Sequence, residues 1–177
     1  MASFSNRAVL RYGGIKVASN TVFGVIAPRV TVSKTAVEQS YERGGKITYI
    51  LSIINETSAP KVLTLTDDLG AAGGASPLFY IDGTAAVFID GVRAEITPTK
   101  TSSALVLTDL SVPAGAVATV AYQVRVSQCA DGKITNTATI TCSDLLSPIV
   151  ASHTISRTEK SENGGCPPFT YSIKYST

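Results

Sequence analysis

The stretch Gly44–Gly70, GGKITYILSIINETSAPKVLTLTDDLG, decides how the rest of the chain is read. Two apolar runs, Ile47–Ile54 and Lys61–Leu69, flank a polar segment. Successive side chains of a strand point to opposite faces, so Leu63, Leu65, Asp67 and Leu69 share one face. Alternation of this kind in short runs rich in Val, Ile, Thr and Tyr, bounded by Gly, Pro, Asp and Ser, is the pattern of β-strands. It recurs outward from this stretch. Ser5–Tyr12, Lys16–Ile26 and Val30–Glu38 precede it. Ala85–Ile89, Val92–Thr97, Ala104–Leu107, Ala116–Val126, Lys133–Cys142, Ile149–Ser156 and Thr170–Tyr175 follow. No segment sustains a helical period. Asp90-Gly91 reads as a tight hairpin turn, because both residues tolerate positive φ, and Asp82-Gly83 and Asp131-Gly132 read similarly. A hairpin needs these pairs without any calcium.

Many short strands with regular turns define an all-β chain folded as an antiparallel sandwich. Three parts are expected: an N-terminal hairpin arm (1–28), a sandwich module (29–157), and a linker with a C-terminal strand or tail (158–177). Of the 177 residues, 44% are hydrophobic and 16% charged, too apolar for disorder. No apolar run approaches the roughly 20 residues of a spanning helix. A net charge of +2, with scattered Lys and Arg, gives no case for nucleic acid. No signal peptide is visible in Met1–Gly14. The expectations are then either a leader already removed or another route of exit, such as lysis of a spore mother cell.

The two ends of the chain resemble each other. Asn6, Ala8 and Leu10 match Asn136, Ala138 and Ile140, and Ala18-Ser19-Asn20-Thr21-Val22 matches Ala151-Ser152-His153-Thr154-Ile155. The front segment thus repeats the last hairpin of the module without a module of its own. An orphan hairpin must bury its apolar face on its own domain or on a neighbour. The face carrying Asn6, Ala8, Leu10 and Tyr12 is expected to pack on a second copy, a heterologous contact that builds filaments.

VSKTAV, GGKITYILSIINETSAPKVLTLTDDLG, YIDGTAAVFIDGV, LSVPAGAVATVAYQVRV and KITNTATIT, in that order, resemble the bacterial "conserved repeat" surface-protein domain family. The resemblance spans Val30–Ser156. It implies an immunoglobulin-like sandwich used as a stalk, spacer or assembly unit on a cell or spore surface. Related domains occur in fimbrial subunits, some with internal isopeptide bonds, and in spore-appendage proteins. This chain departs from the pattern in having one module, no visible wall anchor, and cysteines in its late strands and tail.

Enzymatic signatures are sparse. His153 is the only histidine and sits in a Thr-rich strand, so a triad has little to build on. No phosphate loop, dinucleotide fingerprint or zinc-protease helix occurs. The reading is therefore not an enzyme, with no cofactor, no metal and no small-molecule substrate. One constellation does carry chemistry. Lys34 lies on the face of Val30, Val32 and Ala36; Asn136 lies on that of Ile134, Ala138 and Ile140; Asp67 lies on a third apolar face. A buried lysine drifts toward its neutral amine, which can attack a carboxamide while a protonated carboxyl shuttles protons. The expected product is a Lys34–Asn136 isopeptide crosslink. The plainer alternative is that Lys34 reaches the rim and Asn136 binds backbone.

Three cysteines leave one without an intrachain partner. Cys129 and Cys142 lie at opposite ends of a strand, so distance argues against a bridge between them within one chain. Cys166 in the tail can reach either, within its own chain or across to a neighbour, and at least one interchain disulfide is expected. The functional expectation is a self-assembling extracellular filament subunit that binds copies of itself. The rival is a monomeric surface stalk or adhesin module.

Overall fold

The computed structural model describes residues 3–25, 29–71, 76–101, 103–130, 132–145 and 147–158. It contains sixteen strands. The arm holds β1 (Ser3–Asn6), β2 (Val9–Tyr12), β3 (Ile15–Ala18) and β4 (Val22–Val25). The body begins with β5 (Val30–Ala36), β6 (Ser40–Tyr41), β7 (Lys46–Asn55) and β8 (Lys61–Asp67). Then come β9 (Leu78–Tyr80), β10 (Ala86–Ile89), β11 (Val92–Ala94) and β12 (Thr99–Lys100). The last four are β13 (Leu105–Val112), β14 (Val117–Val126), β15 (Lys133–Thr141) and β16 (Ile149–Arg157). Among the described residues no helix is long and apolar enough to cross a membrane.

Two six-stranded sheets face each other, so the expected all-β sandwich is what forms. The first runs β11-β10-β14-β7-β5, with β9 also paired to β14. The second runs β12-β13-β8-β15-β16-β6. The alternation read in the sequence becomes the core. Ile47, Tyr49, Leu51 and Ile53 of β7 point inward, with Ala118, Val120, Tyr122 and Val124 of β14. Leu63 and Leu65 of β8 and Ile134, Ala138 and Ile140 of β15 face them from the second sheet. Each fully buried Leu or Ile contributes about 1.5–3 kcal/mol of transfer free energy.

The differences from the sequence reading have local causes. Strand β13 continues to Val112, beyond the expected Ala104–Leu107, because a bulge between Leu107 and Leu110 absorbs Asp109 at φ 56°. The alternation breaks at that bulge, which hid the second half of the strand. Strands β6, β9 and β12 are two or three residues long, too short for any period to show. The expected Val92–Thr97 stops at Ala94. Asp90 and Gly91, at φ 47° and 81°, form the expected tight turn between the paired Ile89 and Val92. Asp82-Gly83 makes a turn but no hairpin, since β9 and β10 both pair with β14. Asp131 and the expected strand Thr170–Tyr175 lie outside the described residues.

One end of the sandwich is tied by Asn55, a buried polar side chain at the end of β7. Its Nδ2 donates to the carbonyls of Ala59, Val112 and Pro113 at 2.9–3.0 Å. Its Oδ1 accepts from the Thr57 amide and hydroxyl. Asn55→Ala removes the donor to three carbonyls, of which the Val112 bond is buried, and should cost about 1–3 kcal/mol. The check is a urea titration, in which the midpoint falls at unchanged slope.

Candidate functional site: a buried Lys–Asp–Tyr–Asn cluster

The three residues singled out for crosslinking meet inside the sandwich. Lys34 comes from β5 in the first sheet; Asp67, the last residue of β8, and Asn136, in mid-β15, come from the second. Asp67 and Asn136 have no exposed surface and Lys34 is nearly as buried. Lys34 therefore does not reach the rim. Its Nζ donates to Asp67 Oδ2.

A fourth residue holds the cluster together, and sequence reasoning missed it. Tyr122 of β14 donates its hydroxyl proton to Asp67 Oδ2 at 2.5 Å. The Tyr122 hydroxyl oxygen in turn accepts from Lys34 Nζ and from Asn136 Nδ2, both at 3.2 Å. Because its one proton is committed to Asp67, only the amide nitrogen of Asn136 can face it. Asn136 Oδ1 is thereby turned away and has no hydrogen-bond partner, nor does the buried Tyr49 hydroxyl. The signal was present: Tyr49 and Tyr122 are the polar-tipped residues on otherwise apolar strand faces. They pair directly across β7 and β14, their ring centroids 5.8 Å apart. Lys34 Nζ lies 4.9 Å from the Tyr49 ring centroid, a favourable seat for a cation.

The Asp67 carboxylate is aimed by the turn that ends its strand. Leu69 is buried and sits at φ 49°, a left-handed conformation that costs a non-glycine residue about 1–3 kcal/mol. Its amide donates to Asp67 Oδ1 at 3.1 Å, leaving Oδ2 free for Lys34 and Tyr122. Asp68 faces the other way, as adjacent strand residues must, and accepts from the amides of Gly70 and Thr137. His153 lies opposite Asn136 in the ladder and packs edge-on to Tyr49 at 6.4 Å. It is a packing residue.

Burial sets the proton inventory. Desolvation pulls the Lys34 pKa down, and the Asp67 charge and hydrogen bond oppose that pull only in part. Burial, reinforced by the Asp67 charge, pushes both tyrosines up, so both hydroxyls stay protonated. The Asn136 amide beside Tyr49 offsets part of its rise. Chemically, the pocket offers a destabilised ammonium beside a carboxylate, a carboxamide with an unsatisfied oxygen, and a hydroxyl touching all three partners. Among the described residues no group of three or more His, Cys, Asp or Glu side chains gathers to hold a metal.

The cysteines are elsewhere. Cys142 is a half-buried free thiol donating to Asp144 Oδ1 at 2.6 Å. That bond, with Lys61, holds the Asp144 carboxyl below its usual range. Cys129 lies past the opposite end of β15, roughly 26 Å away at about 3.3 Å per residue. Cys166 lies outside the described residues.

The arm is a separate hairpin. β1 pairs with β4 and β2 with β3, and no body strand pairs with them among the described residues. The expected single strand Ser5–Tyr12 is interrupted at Arg7 and Ala8, where Ala8 N donates to Ser19 Oγ. The face expected to run from Asn6 through Ala8 to Leu10 and Tyr12 is therefore not continuous. The likeness to the last hairpin also stops short of register. Ala138 pairs with Ala151, yet Ala18 pairs with Val9, and Asn6 pairs with Val22. Gly13-Gly14, both at positive φ, form a two-residue turn that sets pairing from the tip outward.

Solved structures with this fold are bacterial pilins and adhesins. The major pilin subunit BcpA of Bacillus cereus is 13% identical at a TM-score of 0.55, over 88% of this chain and 48% of its own. The pilus backbone RrgB of Streptococcus pneumoniae is 13% identical at a TM-score of 0.50, over 64% and 52%. The N-terminal domain of the Streptococcus gordonii adhesin Sgo0707 is 16% identical at a TM-score of 0.56, over 81% and 37%. The chain thus spans about half the length of the two pilins. No family model and no curated protein matches it.

The Lys34 shift predicts a pH dependence. Asn136→Ala cannot crosslink and keeps Lys34 titratable. A lysine whose folded pKa is lowered destabilises the fold while charged, and the penalty fades as pH rises from that pKa toward 10.5. The raised tyrosines act oppositely: their contribution is full below about 10 and is lost above it. The urea midpoint of Asn136→Ala should therefore climb with pH up to about 10 and then fall.

Proposed function

We propose that this chain is a non-catalytic structural subunit of an extracellular filament on a cell or spore surface. It assembles with copies of itself through its N-terminal arm and stiffens its own body with a Lys34–Asn136 bond. The observation that carries the assembly reading is the arm: a hairpin paired, among the described residues, to no body strand, with large apolar side chains in solvent. The pilin and adhesin folds support a surface role. Membership of the "conserved repeat" family is part of this proposal and rests on the quoted motifs.

The crosslink reading rests on the buried cluster. Asp67 takes a proton from the Lys34 ammonium, and the neutral Nζ attacks Asn136 Cγ. The new C–N bond forms, the Cγ–Nδ2 bond breaks, and ammonia leaves. Protons reach the leaving nitrogen through the Tyr122 hydroxyl, which touches both Asp67 Oδ2 and Asn136 Nδ2. The reaction turns over once. The intact mass should fall short of the sequence mass by about 17 Da, the ammonia lost. Lys34→Ala should restore the calculated mass of that variant and lower its thermal stability, because the covalent tie between β5 and β15 is lost. A full wild-type mass would end the crosslink reading.

The assembly reading has its own test. A chain starting at Arg29 should keep its β-type circular dichroism and remain monomeric by light scattering, while the full chain assembles. Normal assembly without the arm would remove the basis of the filament reading, and a full chain that stays monomeric would favour the stalk or adhesin module. Cys129 is disulfide-bonded within the chain, so interchain bridging falls to Cys142, the free thiol among the described residues; it is read on the same assembled material, where a non-reducing gel with monomer alone would exclude it.

A further inference from the structure

The crosslinking step uses Lys34, Asp67, Tyr122 and Asn136 and leaves one buried hydroxyl of the cluster without a task. Tyr49 has no exposed surface. Among the described residues, its Oη and Asn136 Oδ1 are the two buried side-chain atoms with no hydrogen-bond partner. The first carries a proton to donate and the second can only accept.

Register brings these two atoms to the same place. Tyr49 of β7 pairs directly with Tyr122 of β14, so both side chains leave the first sheet on its inner face, side by side, with ring centroids 5.8 Å apart. The Tyr122 hydroxyl meets Asn136 through Nδ2. In the second sheet Asn136 of β15 pairs with His153 of β16, and the His153 ring stands edge-on to Tyr49 at 6.4 Å. Tyr49 therefore stands over the junction of β15 and β16, on the side of Asn136 that Tyr122 does not occupy. The Asn136 side chain is near enough to alter the affinity of the Tyr49 hydroxyl for its proton, and burial keeps that proton on.

Attack by the lysine changes what Oδ1 requires. When the neutral Nζ adds to Cγ, the Cγ=O π pair moves onto Oδ1 and leaves a negative oxygen in surroundings that solvate charge poorly. The Tyr122 proton is committed to Asp67 and cannot serve it. We infer that the Tyr49 hydroxyl donates a hydrogen bond to Asn136 Oδ1 as this tetrahedral intermediate forms, and so acts as its oxyanion donor. The inference deepens the crosslink reading and rests on it. Nζ gives one proton to Asp67 and a second, through Tyr122, to the leaving nitrogen. The pair on Oδ1 returns to Cγ as the Cγ–Nδ2 bond breaks and ammonia departs, and Tyr49 keeps its proton throughout. A donor unpaired beforehand and aimed at charge that develops lowers the barrier without stabilising the reactant. One contact, not made before the reaction, thus accounts for both orphaned atoms.

The test follows the intact mass of the full chain with time after a short pulse of cell-free synthesis. The wild type should lose about 17 Da as ammonia. Tyr49→Phe keeps the ring and removes the hydroxyl, and should lose the same mass about 100- to 1000-fold more slowly, the usual effect of deleting an oxyanion donor. Stability is compared where no bond can form, in Lys34→Met. Adding Tyr49→Phe there should leave the urea midpoint unchanged or raise it, because the hydroxyl removed had no partner. Crosslinking of Tyr49→Phe at the wild-type rate would overturn the oxyanion donor and leave the crosslink reading standing. A slower rate together with a lower midpoint would assign the hydroxyl to packing and overturn it equally. A wild type that keeps its full sequence mass would end both readings. If Tyr49→Phe fails to fold, Tyr49→Met, an adaptable apolar side chain without a hydroxyl, must show the same delay, and crosslinking at the wild-type rate there would overturn the assignment.

Discussion

Lys34 reaches across the interior from one sheet to a carboxylate held by the other, and that buried charge pair constrains everything near it. A charge inside a sandwich is costly unless it is paired and every remaining donor or acceptor is satisfied. Here the pairing draws in residues from β5, β8, β14 and β15, strands of both sheets. The strained Leu69 turn holds one carboxylate oxygen so that the other meets the lysine. The arrangement leaves one amide oxygen, that of Asn136, without a hydrogen-bond partner. Under the crosslink proposal, the carbon that bears it is the atom that Lys34 attacks.

Tyr122 changes how that event is understood. A lysine, an asparagine and an aspartate are enough to write the reaction on paper. The hydroxyl supplies what paper omits, a fixed route between the carboxyl that takes a proton and the nitrogen that must leave with one. Burial keeps the tyrosine protonated, so under the crosslink proposal it relays protons without acquiring charge. The centre of the body is tied by hydrogen bonds between its two sheets.

The arm is the opposite kind of structure. It gains only its own ladder of hydrogen bonds, and a two-stranded ribbon is marginal in water when it stands alone. Its apolar tip face, its basic reverse face and the absence, among the described residues, of a body strand paired to it are what the assembly proposal rests on.

Alternation alone determined the class of fold and the inward faces. A strand has only two sides, so residue parity decides burial wherever a run is long enough, and β7, β8, β14 and β15 obey it. That same parity placed Lys34, Asp67 and Asn136 in the interior. It could not say that they meet, because parity assigns a face and not a height along the strand or a neighbour across the core. Register did that: Asp67 opposite Ala138 sets it beside Asn136, and Tyr122 opposite Tyr49 sets a hydroxyl between them. Tertiary structure alone also revealed the bulge that prolongs β13, the break at Arg7–Ala8, and an arm register unlike that of the hairpin it resembles. Pairing in the arm is dictated by its two-glycine turn and by a single Ser19 hydroxyl bound to a backbone amide. Such local bonds leave no trace in a hydrophobic pattern, which is why the faces could be read from the chain and the contacts could not.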